Sequence, residues 1–234
     1  MKIAVCISGQ PRAYAQGYEY LKRNLLDKYD CDIFIHTWHN KVYRSADVIE
    51  LYKPTAYLVE DQLPKSQYNI KYINTPECTK WPAHGTVSMI YSMFQSMLLK
   101  VKHETLYSPY NWVVKTRFDY AINGVIPFEQ LDPDKLYIPN CRMVPERNFG
   151  NDQFAFGRTN IMNDYMSTYI NMDHFYRMGT VMIGEDMMSA NIRKYGLVGE
   201  RLVYVDMNNP FPPGKYNAGT HSLIRDDMEL WKNS

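Results

Sequence analysis

The chain has 234 residues, with 26 Lys and Arg against 25 Asp and Glu and a net charge of +1. So even a balance gives no electrostatic case for a nucleic-acid partner or an anionic membrane surface. The apolar share of 45%, with only 12 Gly and 13 Pro, excludes disorder and low-complexity scaffolds and leaves a chain able to bury one sizeable core.

Lys2–Ser8 is short, apolar and β-branched, and Gly9 and Pro11 stop it, so it reads as a buried strand and a turn. Tyr14–Leu26 has helical spacing, with Tyr18, Leu21, Leu25 and Leu26 on one face. Asp32–His36 is a second strand, Ala46–Tyr52 a short helix and Thr55–Glu60 a third strand. This β-α-β-α-β order predicts a parallel sheet with helices on its faces. Asp61–His84 has three prolines and little periodicity and reads as a surface excursion. Val87–Tyr107 is the longest predicted helix, with a Met-rich core stripe at Met89, Met93 and Met97. Trp112–Thr116 is a central strand, and a loop begins at Phe118. Leu136–Ile138 and Gln153–Phe156 are short strands. Asn160–Tyr176 and Glu185–Tyr195 are amphipathic helices, the second ending at Gly196. Leu202–Val205 is a last strand before a loop-like tail from Asp206. Without repeat, linker or composition break, one α/β domain over 1–234 is expected.

No run approaches the roughly 18 apolar residues of a membrane helix, so no transmembrane segment is expected. Cys6, Cys31, Cys78 and Cys141 are far apart and form no CxxC pair. They read as free thiols in a reducing compartment, which implies a cytoplasmic location.

In an open parallel sheet, ligands bind at the carboxyl ends of the strands. Those ends here are polar: Ser8-Gly9-Gln10-Pro11-Arg12, then His36-Thr37-Trp38-His39, then Lys115-Thr116-Arg117-Phe118-Asp119-Tyr120. Each has a plain structural reading: turn chemistry, an aromatic rim and an ion pair. Their joint location at strand ends favours a site. No GxGxxG, GxxxxGK[ST], GxSxG or HExxH occurs, which removes the signals for dinucleotide, P-loop, esterase and zinc-protease chemistry. Gly184-Glu185-Asp186 at a helix start, Asp152, and a late His221 with Arg225 complete the polar set. Cations beside a carboxylate suit a diphosphate with a divalent ion, and a second carboxylate suits a general base.

The ordered segments SGQPR, DIFIHTW, VVKTRFDY, NDQFAFG and GED resemble a nucleotide-sugar glycosyltransferase of the GT-A fold, similar to the small glycosyltransferase domains encoded by chlorella viruses. The resemblance covers residues 1–205. It implies a Rossmann-like, mostly parallel sheet flanked by helices, with a nucleotide-binding half at 1–120 and an acceptor and catalytic half at 121–234. A UDP-sugar is the implied donor and a glycan or glycoprotein hydroxyl the implied acceptor, with inversion at the anomeric carbon. Ser8, Gly9, Gln10 and Arg12 are implied near the uridine and phosphates, with His36, Thr37 and Trp38 flanking base or ribose. RFD stands where the family has its DxD metal motif, so Arg117 replaces one acid. Asp119 is the implied ligand of Mn²⁺ or Mg²⁺, with His221 as a further one. Asp186 is the implied base, with Glu185 beside it and Asp152 facing the sugar or acceptor. The first-turn position of Glu185 and Asp186 predicts that the helix dipole holds both ionised. A non-catalytic carbohydrate- or nucleotide-binding module on the same fold is the competing reading.

Overall fold

A computed structural model describes residues 1–72, 82–122, 124–139 and 150–202. Its sheet has seven strands: β1 (Lys2–Gly9), β2 (Asp30–Trp38), β3 (Ala56–Glu60), β4 (Trp112–Thr116), β5 (Leu136–Pro139), β6 (Ala155–Gly157) and β7 (Gly199–Leu202). They lie in the order β3-β2-β1-β4-β6-β5-β7. β1 pairs parallel with β2 and β4, and β2 with β3. β6 runs antiparallel to β4 and β5, while β5 and β7 are parallel. The sheet is therefore mostly parallel and carries both halves of the chain, as the α/β reading expects.

Alternation along β1 explains the layering, since successive side chains point to opposite faces. Ala4 and Cys6 face a core with α4 (Ala83–Leu106), α5 (Thr159–Met166), α6 (Thr168–Arg177) and α7 (Gly184–Tyr195). Ile3, Val5 and Ile7 face the other core, with α1 (Tyr14–Leu21) and α2 (Ser45–Tyr52). Both β1 faces are covered, so its sequence is continuously apolar.

Four sequence expectations need adjustment. Tyr14–Leu26 is α1 followed by a π-helical turn, Lys22–Leu26. The excursion after β3 contains a helix, α3 (Lys65–Lys71), whose polar sequence carries no apolar stripe. The helix expected over Asn160–Tyr176 is two helices, α5 and α6, that part at Ser167. There the Ser167 hydroxyl donates to the Asp164 carbonyl and the Thr168 hydroxyl to the Tyr165 carbonyl, so side chains compete for backbone acceptors. Finally, β7 begins at Gly199, and residues 203–205 of the expected strand lie outside the described residues.

Cys6 is buried and Cys31 half-buried, both as free thiols, while Cys78 and Cys141 lie outside the described residues. Among the described residues no helix is long and apolar enough to cross a membrane.

Candidate functional site

β1 lies between β2 and β4 inside the sheet. The chain leaves it toward β2 on one side, and β4 enters on the other. The ends of β1 and β4 thus flank the place where connections diverge, which is where open α/β sheets bind ligands.

On the β2 side the polar residues form a connected network. Gly9 has φ +108°, a backbone region that glycine enters freely. Its N–H donates to Ser92 Oγ of α4 at 2.8 Å, and its carbonyl accepts from Thr37 Oγ1 at 2.9 Å. Ser92 Oγ also lies 2.7 Å from His36 Nδ1, while His36 Nε2 lies 2.8 Å from Glu60 Oε2. Tyr91 donates to the same Glu60 oxygen at 3.1 Å. Nε2–H donating to Glu60, with Nδ1 accepting from Ser92, makes every bond with a neutral ring. Burial lowers the His36 pKa, with Glu60 opposing, and so favours that neutral form. Trp38 stacks on Tyr91 at 5.7 Å, and both rings stand edge-on to His36.

His36 is 0% exposed and Trp38 2%. Neither ring has a face for a base or ribose in this arrangement, and Ser8 and Thr37 are buried as well. These four support the site from behind. Gln10 and Arg12 stand at its half-buried rim. Gln10 donates to Gln62 Oε1 at 3.2 Å and accepts from Asn40 Nδ2 at 2.7 Å, joining the loops that follow β1, β2 and β3.

On the β4 side the groups are charged. Arg117 Nε donates to Asp119 Oδ1 at 2.8 Å and Nη2 to Oδ2 at 2.7 Å, a bidentate pair. Its turn is pinned by α1: a methyl on Gly17 would stand 1.8 Å from the Phe118 carbonyl oxygen. Lys115, buried in β4, donates to the Asp152 backbone carbonyl. Burial pushes the Lys115 pKa down to about 7, with Arg117 adding to the drop and Asp152 and Asp119 opposing it.

Asp152 precedes β6, whose pairing with β4 sets Ala155 opposite Lys115. Two glycines bring this segment onto the start of α7. A methyl on Gly150 would lie 2.5 Å from the Glu185 carbonyl oxygen, and one on Gly184 would lie 3.4 Å from Asp152 Cβ. The Gly150 N–H also donates to Ser189 Oγ at 2.8 Å. The fold therefore gathers Asp152, Glu185 and Asp186, residues 33 and 34 positions apart in sequence, at one place.

For Glu185 the helix-dipole expectation is corrected. Burial raises its pKa, and Asp152 and then Asp186 raise it further, while a bond to its own backbone N–H opposes them. Desolvation and a like charge outweigh the dipole, which favours the anion by only about 0.3–1 kcal/mol at exposed sites. A carboxyl tuned upward beside a second acidic group is a candidate proton acceptor.

The implied divalent ion fits the described residues poorly. Both Asp119 oxygens already accept from Arg117. Among the described residues no group of three His, Cys, Asp or Glu is arranged to hold a metal. His221 and Arg225 lie outside the described residues.

Sequence reasoning gave no role to Ser92, Glu60, Gly17 or Lys115. Lys115 carried one signal, a lysine inside the apolar strand Trp112–Thr116, where burial demands a partner. The others depend on long-range packing.

No family model matches the chain, and no curated protein matches it. Among solved structures, the apo form of mouse xyloside xylosyltransferase 1 is similar at 10% identity, covering 86% of this chain and 84% of that one, with a TM-score of 0.42.

Proposed function

We propose that the protein is a glycosyltransferase that moves a sugar from a UDP-sugar to a hydroxyl of a glycan or glycoprotein acceptor. The observation that carries this reading is the charged cluster of Lys115, Arg117, Asp119, Asp152 and Glu185 at the strand-end crevice beside β1 and β4. Such a transfer needs a cation for the leaving diphosphate and a base for the attacking hydroxyl, held on opposite sides of one sugar.

In the proposed step the acceptor oxygen forms a bond to the anomeric carbon. The bond from that carbon to the diphosphate breaks, and UDP leaves with the electron pair. The acceptor proton goes to a carboxylate. Glu185, beside Asp152, is the candidate for this role, because burial and like charge raise its pKa. Asp186, half-buried in the same first turn, then stands beside the base. Gln10 and Arg12 at the half-buried rim would contact the nucleotide, with the buried His36, Thr37 and Trp38 behind them.

The engagement of Asp119 by Arg117 favours one second reading, a nucleotide- or carbohydrate-binding module without transfer. A panel of UDP- and GDP-sugars separates the two. Thermal shift finds the donor, since a ligand stabilises the folded state by mass action, and nucleotide release reports turnover. Glu185→Gln and Asp152→Asn should each slow release about 10²–10⁴-fold at nearly unchanged donor affinity. Parent rates in both variants would remove the pair as base, and a bound but never cleaved donor would establish the binding module.

A further inference from the structure

We propose that Arg117, aimed by Asp119, is the site's built-in cation for the donor diphosphate, so that the nucleotide binds without a divalent ion. This rests on the nucleotide-sugar reading above and names how that site holds its phosphates.

The argument starts from the orientation of the ion pair. The Arg117 side chain is 26% exposed and that of Asp119 6%, so the arginine is the member of the pair that solvent or a ligand can reach. A guanidinium has five N–H groups. Asp119 takes the Nε–H and one Nη2–H, which leaves three for another acceptor. A planar fork with donors to spare matches the oxygens of a phosphate, and Arg suits such bidentate contacts better than Lys.

The pair is also held still. Gly17 of α1 closes on the Phe118 carbonyl, so the residue between the two partners has no room to shift. Tyr52 packs edge-on against the Phe118 ring at 5.6 Å and donates to the Tyr14 carbonyl at 2.8 Å. A side chain fixed this way loses little freedom when a ligand arrives. A carboxylate whose two oxygens hold an arginine is a poor metal ligand but a good arginine clamp.

Calorimetric titration of the full chain with UDP and with uridine, in 1 mM MnCl₂ and in EDTA, tests this. UDP affinity should agree within about twofold between the two buffers. Arg117→Met should weaken UDP about tenfold or more in both, the usual worth of a charge-assisted contact, and leave uridine affinity unchanged. Asp119→Asn should weaken UDP less, because the guanidinium remains but loses its clamp. If Arg117→Met fails to give a parent-like melting curve, Arg117→Lys, which keeps the charge and loses the fork, is read in its place with the same expectation. UDP binding that drops tenfold in EDTA, or an arginine variant that binds UDP like the parent, overturns the inference while leaving the nucleotide reading intact. A parent protein that binds neither UDP nor uridine overturns the nucleotide reading, and this inference with it.

Discussion

Two polar clusters flank the end of β1. On the β2 side, Gly9, Ser92, His36, Glu60 and Tyr91 form a chain of hydrogen bonds around a histidine with no exposed surface. On the β4 side, Arg117, Asp119, Lys115, Asp152 and Glu185 crowd like and unlike charges together, and burial among them lowers the Lys115 pKa and raises that of Glu185. The first cluster looks inward and fixes backbone. The second carries electrostatic strain of the kind that functional sites concentrate. A histidine beside a strand end is thus a weaker pointer to chemistry than a lysine inside a strand. Substitutions on the β4 side should alter function, and those on the β2 side stability alone.

The largest effect expected is at Gly17. Alanine there would overlap the Phe118 carbonyl at 1.8 Å, a backbone atom that cannot swing away. Overpacking costs about 1–3 kcal/mol and occasionally more, while Ala in place of a helical Gly returns about 0.5–1 kcal/mol. Gly17→Ala should therefore destabilise by about 3 kcal/mol, read from the urea midpoint at unchanged slope. Gly85 in α4 is the control, since nothing lies within 4 Å of its added methyl. Gly85→Ala should be neutral or stabilising by up to about 1 kcal/mol. Equal losses at the two positions would mean that the seat of the β4 turn does not depend on this contact.

Much of the scaffold was legible in the sequence, and less of the site. Trp112–Thr116 is found as a strand at its observed bounds because a β-branched apolar run between polar residues admits little else. The break at Ser167 was hidden because the apolar face continues through it from Ile161 to Phe175. The polar helix Lys65–Lys71 offered no periodicity to read. Asp152 and Glu185 could be named as carboxylates, but not as neighbours, because two glycine contacts between distant segments bring them together. Hence the helix dipole, a local effect visible in sequence, gave the wrong sign for Glu185, and a long-range one decided it.

Lys115 offers the next sharpest separation of the clusters. Its folded pKa is about 7 and its ordinary value 10.5, so between these the unfolded chain binds more protons than the folded one. Stability should then rise with pH across this window, by at most about 1.4 kcal/mol per unit. Below about pH 7 both states are protonated, and this slope vanishes. Lys115→Met keeps most of the stem and removes the proton, so the parent-minus-variant difference should climb from pH 7 toward 10. Parallel stability curves over that range would place the lysine in a far wetter setting than its burial indicates.

The smallest effect expected is on the β2 side, at His36, because two influences oppose each other there. Burial lowers its pKa and is the larger, while the hydrogen bond and charge of Glu60 raise it. The folded value lies below the ordinary 6.5. As pH falls through 6.5 the unfolded histidine takes up a proton that the folded one resists, and stability should decline. Above about pH 7 both forms are neutral and no slope arises from this residue. His36→Gln supplies a neutral N–H for Glu60 without a titrating ring, so stability of the parent relative to this variant should fall between pH 7 and 5 and stay level above 7. Transfer activity per folded molecule should change little, since the ring is wholly covered. If the parent instead gains stability as the pH drops, the Glu60 carboxylate outweighs burial, the ring is an imidazolium in the fold, and the β2 cluster is an ion pair rather than a neutral hydrogen-bond chain.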